Sequence, residues 1–314
     1  MKRFVNIILI FCALSSCAQN NVFPDNINTT KTNDGFRIKG TGVFFQPREG
    51  FEYIKQMARY QKNEKLYLQV VETNTNGFSK VKQGLTRQAI EAKGAKVDVI
   101  KNVKFNQFDA IYIEGPSKFP GETKISLFFG GENFVVMIVG VCKTDDGEGK
   151  KELQDLLKSA YYDDSSQIDP FELADFEFDN SITNFKYVMT ASNLYRYAEN
   201  GERDNKNDTA NSFEIGSFGK TPDDAAPNLM NNIIASYERN GVEFKNKTIV
   251  KTKINGFNSY VLQSEMTLSG KTGIMYMVIM MRDKTTVAFM GNAFNDTDNY
   301  LNKFKRTVES IKDK

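Results

Sequence analysis

The chemistry open to this chain is limited first by what its sequence lacks. Among 314 residues there is no histidine and no tryptophan, and there are three cysteines. Without an imidazole, Ser-His-Asp and Cys-His catalysis are excluded, as are the commonest nitrogen ligands of zinc. No GxGxxG, phosphate-loop or CxxC motif occurs either. We therefore expect a protein that is not an enzyme and that uses no cofactor.

Carboxylate pairs could still perform acid–base catalysis without histidine. The candidates are scattered, and they are Glu114, Glu122, Asp145, Asp146 and Glu148. Their spacing predicts no partner for any of them, so solvated surface charge is the favoured interpretation. A hydrolase-type enzyme without histidine remains the third alternative, behind two kinds of binding protein.

The segment DNKND, from Asp204 to Asp208, begins like a calcium-binding loop. Such a loop takes an oxygen ligand at its third position and glycine at its sixth, where this chain has Lys206 and Thr209. A polar hairpin tip is therefore favoured over a metal site. The segment DDGEG at 145–149 is similarly interpreted as a strand-to-helix turn, and no metal is expected at either place.

Residues 1–16 are typical of a targeting segment. Lys2 and Arg3 precede an apolar run that is shorter than the roughly 20 residues needed to span a bilayer. The run ends in LSSC, which resembles the lipobox of bacterial lipoproteins. That resemblance implies cleavage before Cys17 and lipidation of its thiol. Because Ala18 follows instead of aspartate, it also implies an outer-membrane lipoprotein facing the periplasm. An ordinary secretory signal is the alternative.

Removal of this segment balances the charge of the chain. It takes away Lys2 and Arg3 and no acidic residue, so Lys plus Arg falls from 41 to 39 and equals the 39 of Asp plus Glu. A balanced surface argues against a nucleic-acid partner, and membrane attachment would come through the lipid. Cys12 leaves with the segment, and Cys142 remains. Without histidine to activate it, Cys142 is interpreted as a small buried side chain.

Two stretches of the chain follow one plan, in which hairpin strands precede a helix. They are residues 104–160 and 253–311. Phe108 falls on Phe257, Gly140 on Gly291, and Leu153 and Leu156 on Leu301 and Phe304. We therefore predict two copies of one domain, at 35–162 and 171–314, joined by a mostly polar linker at 163–170. Residues 17–34 are predicted to be a flexible tether between the lipid and the fold.

The central strands of each copy are continuously apolar, at 134–141, 274–281 and 286–290. A strand with one wet face alternates with a period of two, so these runs predict cover on both faces. Short hairpin joints require antiparallel neighbours. Helices are predicted at Ser79–Lys93, at the end of each copy, and up to Gly241 from an N-cap at Thr221 or only from Pro227. The apolar side of this last helix is predicted to be Leu229, Ile233, Ile234 and Tyr237. The result is an α+β fold, an antiparallel sheet flanked by helices in an α/β/α sandwich, duplicated in tandem.

Methionine is concentrated in the second copy, at 266, 275, 277, 280, 281 and 290. A soft-metal site or an adaptable binding surface is one interpretation of this set. Core filling between sheet and helices is the favoured one, since the usual histidine co-ligands of copper are lacking.

The order of elements resembles that of the PsbP-like family, which includes extrinsic photosystem II subunits, Mog-type Ran-binding proteins and DcrB-type lipoproteins. The similar pieces are F-x-Y near each domain start, INGFNSY at 254–260 and FKRTVES at 304–310. Gln107 departs from the pattern, since Gly256 occupies the matching turn in the second copy. The resemblance implies accessory and binding roles, and it places no site residue in this chain.

A non-catalytic binding or scaffold module for a protein partner is therefore the predicted function. The partner site is predicted near the long loop at 199–211, with Glu199, Arg203, Asp204 and Asp208 as its residues, or at the linker. The alternative is a small-molecule or lipid carrier, which requires an open apolar cavity between sheet and helix. A protein-binding module instead requires an exposed apolar patch or a groove between the copies.

Overall fold

The computed structural model describes residues 23–73, 77–191, 193–201 and 209–314. Within them, the first half of the chain (residues 23–162) contains eleven strands and three α-helices. The strands are β1 Asn26–Ile27, β2 Phe36–Arg37, β3 Val43–Phe45, β4 Glu52–Ile54, β5 Arg59–Asn63, β6 Leu66–Thr73, β7 Val99–Phe105, β8 Phe108–Pro116, β9 Glu122–Gly130, β10 Val135–Lys143 and β11 Tyr161–Tyr162. The helices are α1 Phe78–Gln83, α2 Arg87–Glu91 and α3 Gly147–Ser159.

The described part of the second half (residues 171–314) adds ten strands and two α-helices. The strands are β12 Phe176–Glu177, β13 Lys186–Ala191, β14 Leu194–Ala198, β15 Ser212–Gly219, β16 Glu243–Phe244, β17 Ile249–Ile254, β18 Phe257–Leu268, β19 Lys271–Met281, β20 Thr285–Ala293 and β21 Lys312–Asp313. The helices are α4 Ala226–Arg239 and α5 Thr297–Glu309. None of the helices in the described ranges is long and apolar enough to cross a membrane.

The two halves share one strand order. In the first half the order is β7-β8-β9-β10-β6-β5-β4, and in the second it is β17-β18-β19-β20-β15-β14-β13. The neighbours within each series are antiparallel, as the tight hairpins predict. The α+β class predicted from the sequence is therefore the class of the fold.

The halves are also joined through the sheet itself. β13 lies beside β6, with Met189 opposite Thr73, so that 16 strands of the described residues form one sheet. Arg37 of the first half donates to both carboxylate oxygens of Glu172 in the second, at 2.9 and 2.8 Å. Asn193 also donates to the backbone carbonyl of Lys55, at 3.0 Å. These contacts hold the halves together side by side.

Helices pack on both faces of the sheet in the second half. Met275 and Met277 cluster with Met230 of α4, whereas Met280 lies on the opposite face of the sheet with Phe304 of α5. All but one of the six clustered methionines are buried, the exception being the partly buried Met281. They fill the core, and burial of this apolar surface stabilises the fold at about 25 cal/mol per Å².

Gly140 and Gly291, which were matched from the sequence, lie at equivalent places in the two halves. The residues of the following helices were matched with an error of three positions. A Cβ on Gly140 would lie 3.1 Å from Leu153, and one on Gly291 would lie 2.6 Å from Phe304. Leu153 therefore corresponds to Phe304 and not to Leu301. The prediction failed because an apolar helix pattern repeats every three to four residues, so several alignments look equally good.

The described part of the predicted tether, residues 23–34, belongs to the fold. Phe23 is buried and stacks on Tyr112, with ring centroids 3.9 Å apart. β1 pairs with β7 in parallel, which makes the sheet mixed at this edge. The polar composition of the segment misled the prediction, because two apolar side chains, Phe23 and Ile27, suffice to dock it.

The boundaries of two helices are set by a glycine and a proline. The helix expected over 79–93 is divided into α1 and α2 around Gly84, and Thr86 caps α2 by accepting from the backbone N–H of Ala89 at 3.2 Å. α4 begins at Ala226, beside the later of the two predicted starts, because Pro227 fits only the first turn of a helix.

Candidate functional site

The predicted partner site at the loop 199–211 is only partly within the described residues. Arg203, Asp204 and Asp208 lie outside them, as does the lipidation site Cys17. Glu199 is described, and it is an exposed residue whose carboxylate makes two hydrogen bonds within the protein. It accepts from the Tyr300 hydroxyl of α5 at 2.6 Å and from the Asn211 side-chain amide at 3.0 Å. Glu199 therefore supports the base of the loop, and its role in partner binding stays a prediction.

Asn211 closes the loop base against the end of β20. Its side-chain oxygen accepts from the backbone N–H groups of Phe294 and Asn295, at 2.8 and 3.3 Å. The side chain is 1% exposed. Because both its donor and its acceptor are used, Asn211 fixes where the loop leaves the sheet.

The second predicted partner region, the linker at 163–170, is packed against the first half. Asp163 accepts from Lys31 at 2.9 Å, and its other carboxylate oxygen accepts from the Ser165 hydroxyl at 2.6 Å. These hydrogen bonds hold the pKa of Asp163 well below its ordinary value. Nearby, Glu72 accepts from the backbone N–H of Gly42 and from the Tyr162 hydroxyl, at 2.8 and 2.9 Å.

Glu72 makes the stability of this region depend on pH. Burial raises its pKa above the ordinary value, against hydrogen bonds and Arg37 that lower it. A carboxyl whose pKa is higher in the folded state binds more protons there, so its contribution to stability is lost as pH rises through that folded pKa. We expect Glu72→Gln to remove this contribution. Urea unfolding of both proteins between pH 4 and 8 measures it, and equal pH slopes would contradict it.

Cys142 behaves as the sequence predicts for a buried side chain. It is 0% exposed on β10, and burial raises the pKa of its thiol to about 11. A thiol with such a pKa is protonated at neutral pH, and it is a poor nucleophile. In the described ranges, no group of three or more Cys, Asp or Glu side chains is arranged to hold a metal ion.

A large cleft lies between α4 and the sheet among the described residues. This α4 cleft has a volume of about 840 Å³, which lies within the size range of small-molecule sites. Helix α4 forms one wall of the cleft, and β14, β15, β18 and β20 form its floor. Its lining residues are Leu194, Arg196, Ser212, Glu214, Phe218, Leu229, Asn232, Ile233, Ser236, Tyr237, Asn240, Val242, Met266, Leu268, Met290, Asn292 and Phe294.

The floor carries one ion pair among apolar side chains. Arg196 on β14 is directly opposite Glu214 on β15, and their charged atoms are 3.6 Å apart. Met290 on β20 is the next residue across the sheet. Arg196 and Glu214 are the charged residues among those that line the cleft, so its net charge is zero. An uncharged occupant suits such a site better than an ion.

Two polar atoms of the floor have no internal partner. Arg196 Nε and Asn292 Oδ1 are buried and make no hydrogen bond within the described structure. Buried polar atoms are normally satisfied, and leaving one unpaired costs about 1–3 kcal/mol. The first is a donor and the second an acceptor, so a bound group with both functions would satisfy them.

Tyr237 closes the cleft from the helix side. Burial, assisted by the carboxylate of Glu214, raises the pKa of its hydroxyl, so the group stays protonated at neutral pH. The Asn292 amide and the Arg196 charge act in the opposite direction. The hydroxyl is therefore a neutral group, and it shares a hydrogen bond with the Asn292 side chain.

Sequence reasoning identified the apolar wall of α4 but not the polar floor. Leu229, Ile233, Ile234 and Tyr237 were predicted to form the apolar side of the helix, and all of them except Ile234 line the cleft. A charged residue inside the aromatic strand LYRYA was a usable signal for Arg196. The loop base borders the cleft as well, because Ser212 follows Asn211 directly and lines it.

Comparison with known proteins yields only distant structural likenesses. No family model and no curated protein sequence matches the chain. A Bacteroides thetaiotaomicron protein is 8% identical over 45% of this chain and 42% of its own, with a TM-score of 0.27. The chain thus spans less than half the length of that protein.

Two further solved structures are similar at the same level. Cyanobacterial PsbP of Synechocystis sp. PCC 6803 is 11% identical, with a TM-score of 0.29 over 48% of this chain and 99% of its own. The T6SS immunity protein TplEi of Pseudomonas aeruginosa is 9% identical, with a TM-score of 0.27 over 87% and 95%. Likenesses this weak carry no argument about function.

Proposed function

We propose that this chain is a non-catalytic, lipid-anchored protein of the bacterial envelope that binds a protein partner in its α4 cleft. The cleft carries the proposal, since it combines apolar walls with an unpaired donor and an unpaired acceptor on its floor. In such a site the apolar walls provide affinity, and a few placed polar groups orient what is bound. The large exposed apolar side chains of the described residues are by contrast scattered, at Met57, Val99, Phe119 and Val250.

The chain is further proposed to consist of two copies of one PsbP-like domain. The shared strand order and the matching glycines under α3 and α5 support this. In this proposal the first copy is mainly structural. A cavity of the first copy, beside α2 and β8, has a volume of about 140 Å³, against about 840 Å³ for the α4 cleft.

Membrane attachment is proposed to depend on Cys17 alone. The lipobox resemblance supports this, and lipid anchoring holds a protein by the burial of its acyl chains. We expect Cys17→Ala to release the protein into the soluble fraction of a cell lysate. Fractionation of the wild type and of Cys12→Ala provides the control. Retention of the Cys17 variant in the membrane pellet would show that another anchor exists.

Partner binding is tested by blocking the cleft without touching the core. Ser236 lines the cleft on an exposed turn of α4, whereas Asn231 is exposed on the same helix and does not line it. We expect cross-linking in native envelopes to recover one partner with the wild type and with Asn231→Trp. Ser236→Trp should lose that same partner, identified by mass spectrometry. Undiminished recovery with Ser236→Trp would overturn the assignment of the cleft.

A small-molecule or lipid carrier is the second candidate, and the volume of the cleft favours it. A carrier purified from its native envelope should retain its cargo. Native mass spectrometry of that protein should then show an added mass that Ser236→Trp lacks.

A further inference from the structure

The first half of the chain contains a counterpart of the α4 cleft floor, strand by strand. Arg59 on β5 is opposite Gln69 on β6, and Gln69 is opposite Val139 on β10. In the second half the same three places are taken by Arg196, Glu214 and Met290. This correspondence agrees with the match of Gly140 and Gly291, because Gly140 follows Val139 on β10 and Gly291 follows Met290 on β20.

The main difference between the two floors lies two residues further along the same strands. Tyr67 lies opposite Val141 in the first half, and Ser212 lies opposite Asn292 in the second. The guanidinium of Arg59 lies over the ring of Tyr67, 4.0 Å from its centroid. A serine cannot provide this ring, so the Arg196 guanidinium has no equivalent stacking partner at that position.

We propose that the α4 cleft binds an aromatic side chain of the protein partner, with its ring stacked on the Arg196 guanidinium as the Tyr67 ring is on Arg59. This inference rests on the proposed function of the cleft. A planar guanidinium stacks on aromatic rings through cation–π attraction, which strengthens when the pair is shielded from water. The first half thus supplies its own ring, and the second half takes one from its partner.

The surroundings of Arg196 favour a neutral aromatic segment of a polypeptide. The ion pair with Glu214 leaves the cleft without net charge. Asn292 Oδ1 requires a donor, which a peptide N–H or the polar atom of a tyrosine or tryptophan ring supplies. Arg59 Nε remains unpaired beside Tyr67, so the ring there provides stacking and no hydrogen bond.

The absence of tryptophan from the chain allows a direct binding assay. N-acetyl-tryptophan amide is neutral, aromatic and peptide-like, and its fluorescence can be excited selectively in the presence of this protein. We expect saturable binding to the intact protein, seen as a blue shift and a rise in anisotropy. N-acetyl-leucine amide should not compete at equal concentration. No saturable binding, or equal competition by the leucine compound, would overturn the inference.

Two variants test the stacking itself. Arg196→Lys keeps the charge beside Glu214 but removes the planar group, and we expect it to weaken probe binding about ten-fold. Ser212→Tyr places in the cleft the ring that the first half has at Tyr67, and we expect it to abolish binding. Arg59→Lys and Tyr67→Ser are the matched controls, with binding unchanged. Urea unfolding verifies that each variant is folded, and unchanged binding in both Arg196→Lys and Ser212→Tyr would refute the stacking.

Partner recovery separates this inference from the function on which it rests. Loss of the partner in Ser236→Trp together with no binding of the probe would leave the cleft as the partner site and overturn its aromatic occupant. Probe binding with partner recovery unchanged in Ser212→Tyr would identify a small aromatic molecule as the occupant and overturn the protein source. Loss of both in Ser212→Tyr supports the inference as stated.

Discussion

Replacing Phe304 by alanine is expected to lower the free energy of unfolding by about 3–5 kcal/mol. Phe304 is 0% exposed, and it packs on Phe289 and Tyr300 with ring centroids 5.8 and 6.2 Å apart. Removing the ring forfeits buried apolar area and leaves a cavity that a rigid sheet cannot close. This is the largest effect that we expect from a single substitution.

Urea denaturation followed by circular dichroism measures the Phe304→Ala effect. Leu153→Ala is its counterpart under α3, with an expected loss of about 2–5 kcal/mol. Lys305→Ala, on the same helix at a partly exposed position, should change stability by no more than about 0.5 kcal/mol. A loss below about 1 kcal/mol for Phe304→Ala would show that this core is loosely packed.

The second large effect is expected from adding a single methyl group at Gly291. The new Cβ would lie 2.6 Å from the Phe304 ring, whereas real Cβ atoms do not approach neighbours within 3.0 Å. Phe304 has little room to move among the surrounding rings. Gly291→Ala is therefore expected to cost about 1–3 kcal/mol, the range for an overpacked core.

Gly140→Ala is the matched control, and it should cost less. Its Cβ would meet Ile125 and Leu153 at 3.1 Å, and aliphatic side chains can adjust by a few tenths of an ångström. A double-mutant cycle tests the cause, since Gly291→Ala should cost less in a Phe304→Leu background. Equal costs in the two backgrounds would mean that the ring is not what excludes the methyl group.

The sequence by itself determined the local character of the fold. Continuous apolar runs specified buried central strands, and short polar joints specified antiparallel hairpins, because both signals depend only on neighbouring residues. Phe108 and Phe257 were matched correctly, since each begins the strand that follows a two-residue turn. The absence of histidine likewise removed whole classes of chemistry without any structure.

Only the tertiary structure decided what joins the halves and where the α4 cleft forms. The pairing of β6 with β13 and the docking of Phe23 depend on contacts between residues far apart in the chain. The same holds for the α4 cleft, whose polar residues come from β14, β15, β20 and α4. Strand register brings Arg196 to Glu214 and leaves Ser212 where the first half has a ring. Register is set by the packing of the whole sheet, and for that reason a local pattern does not reveal it.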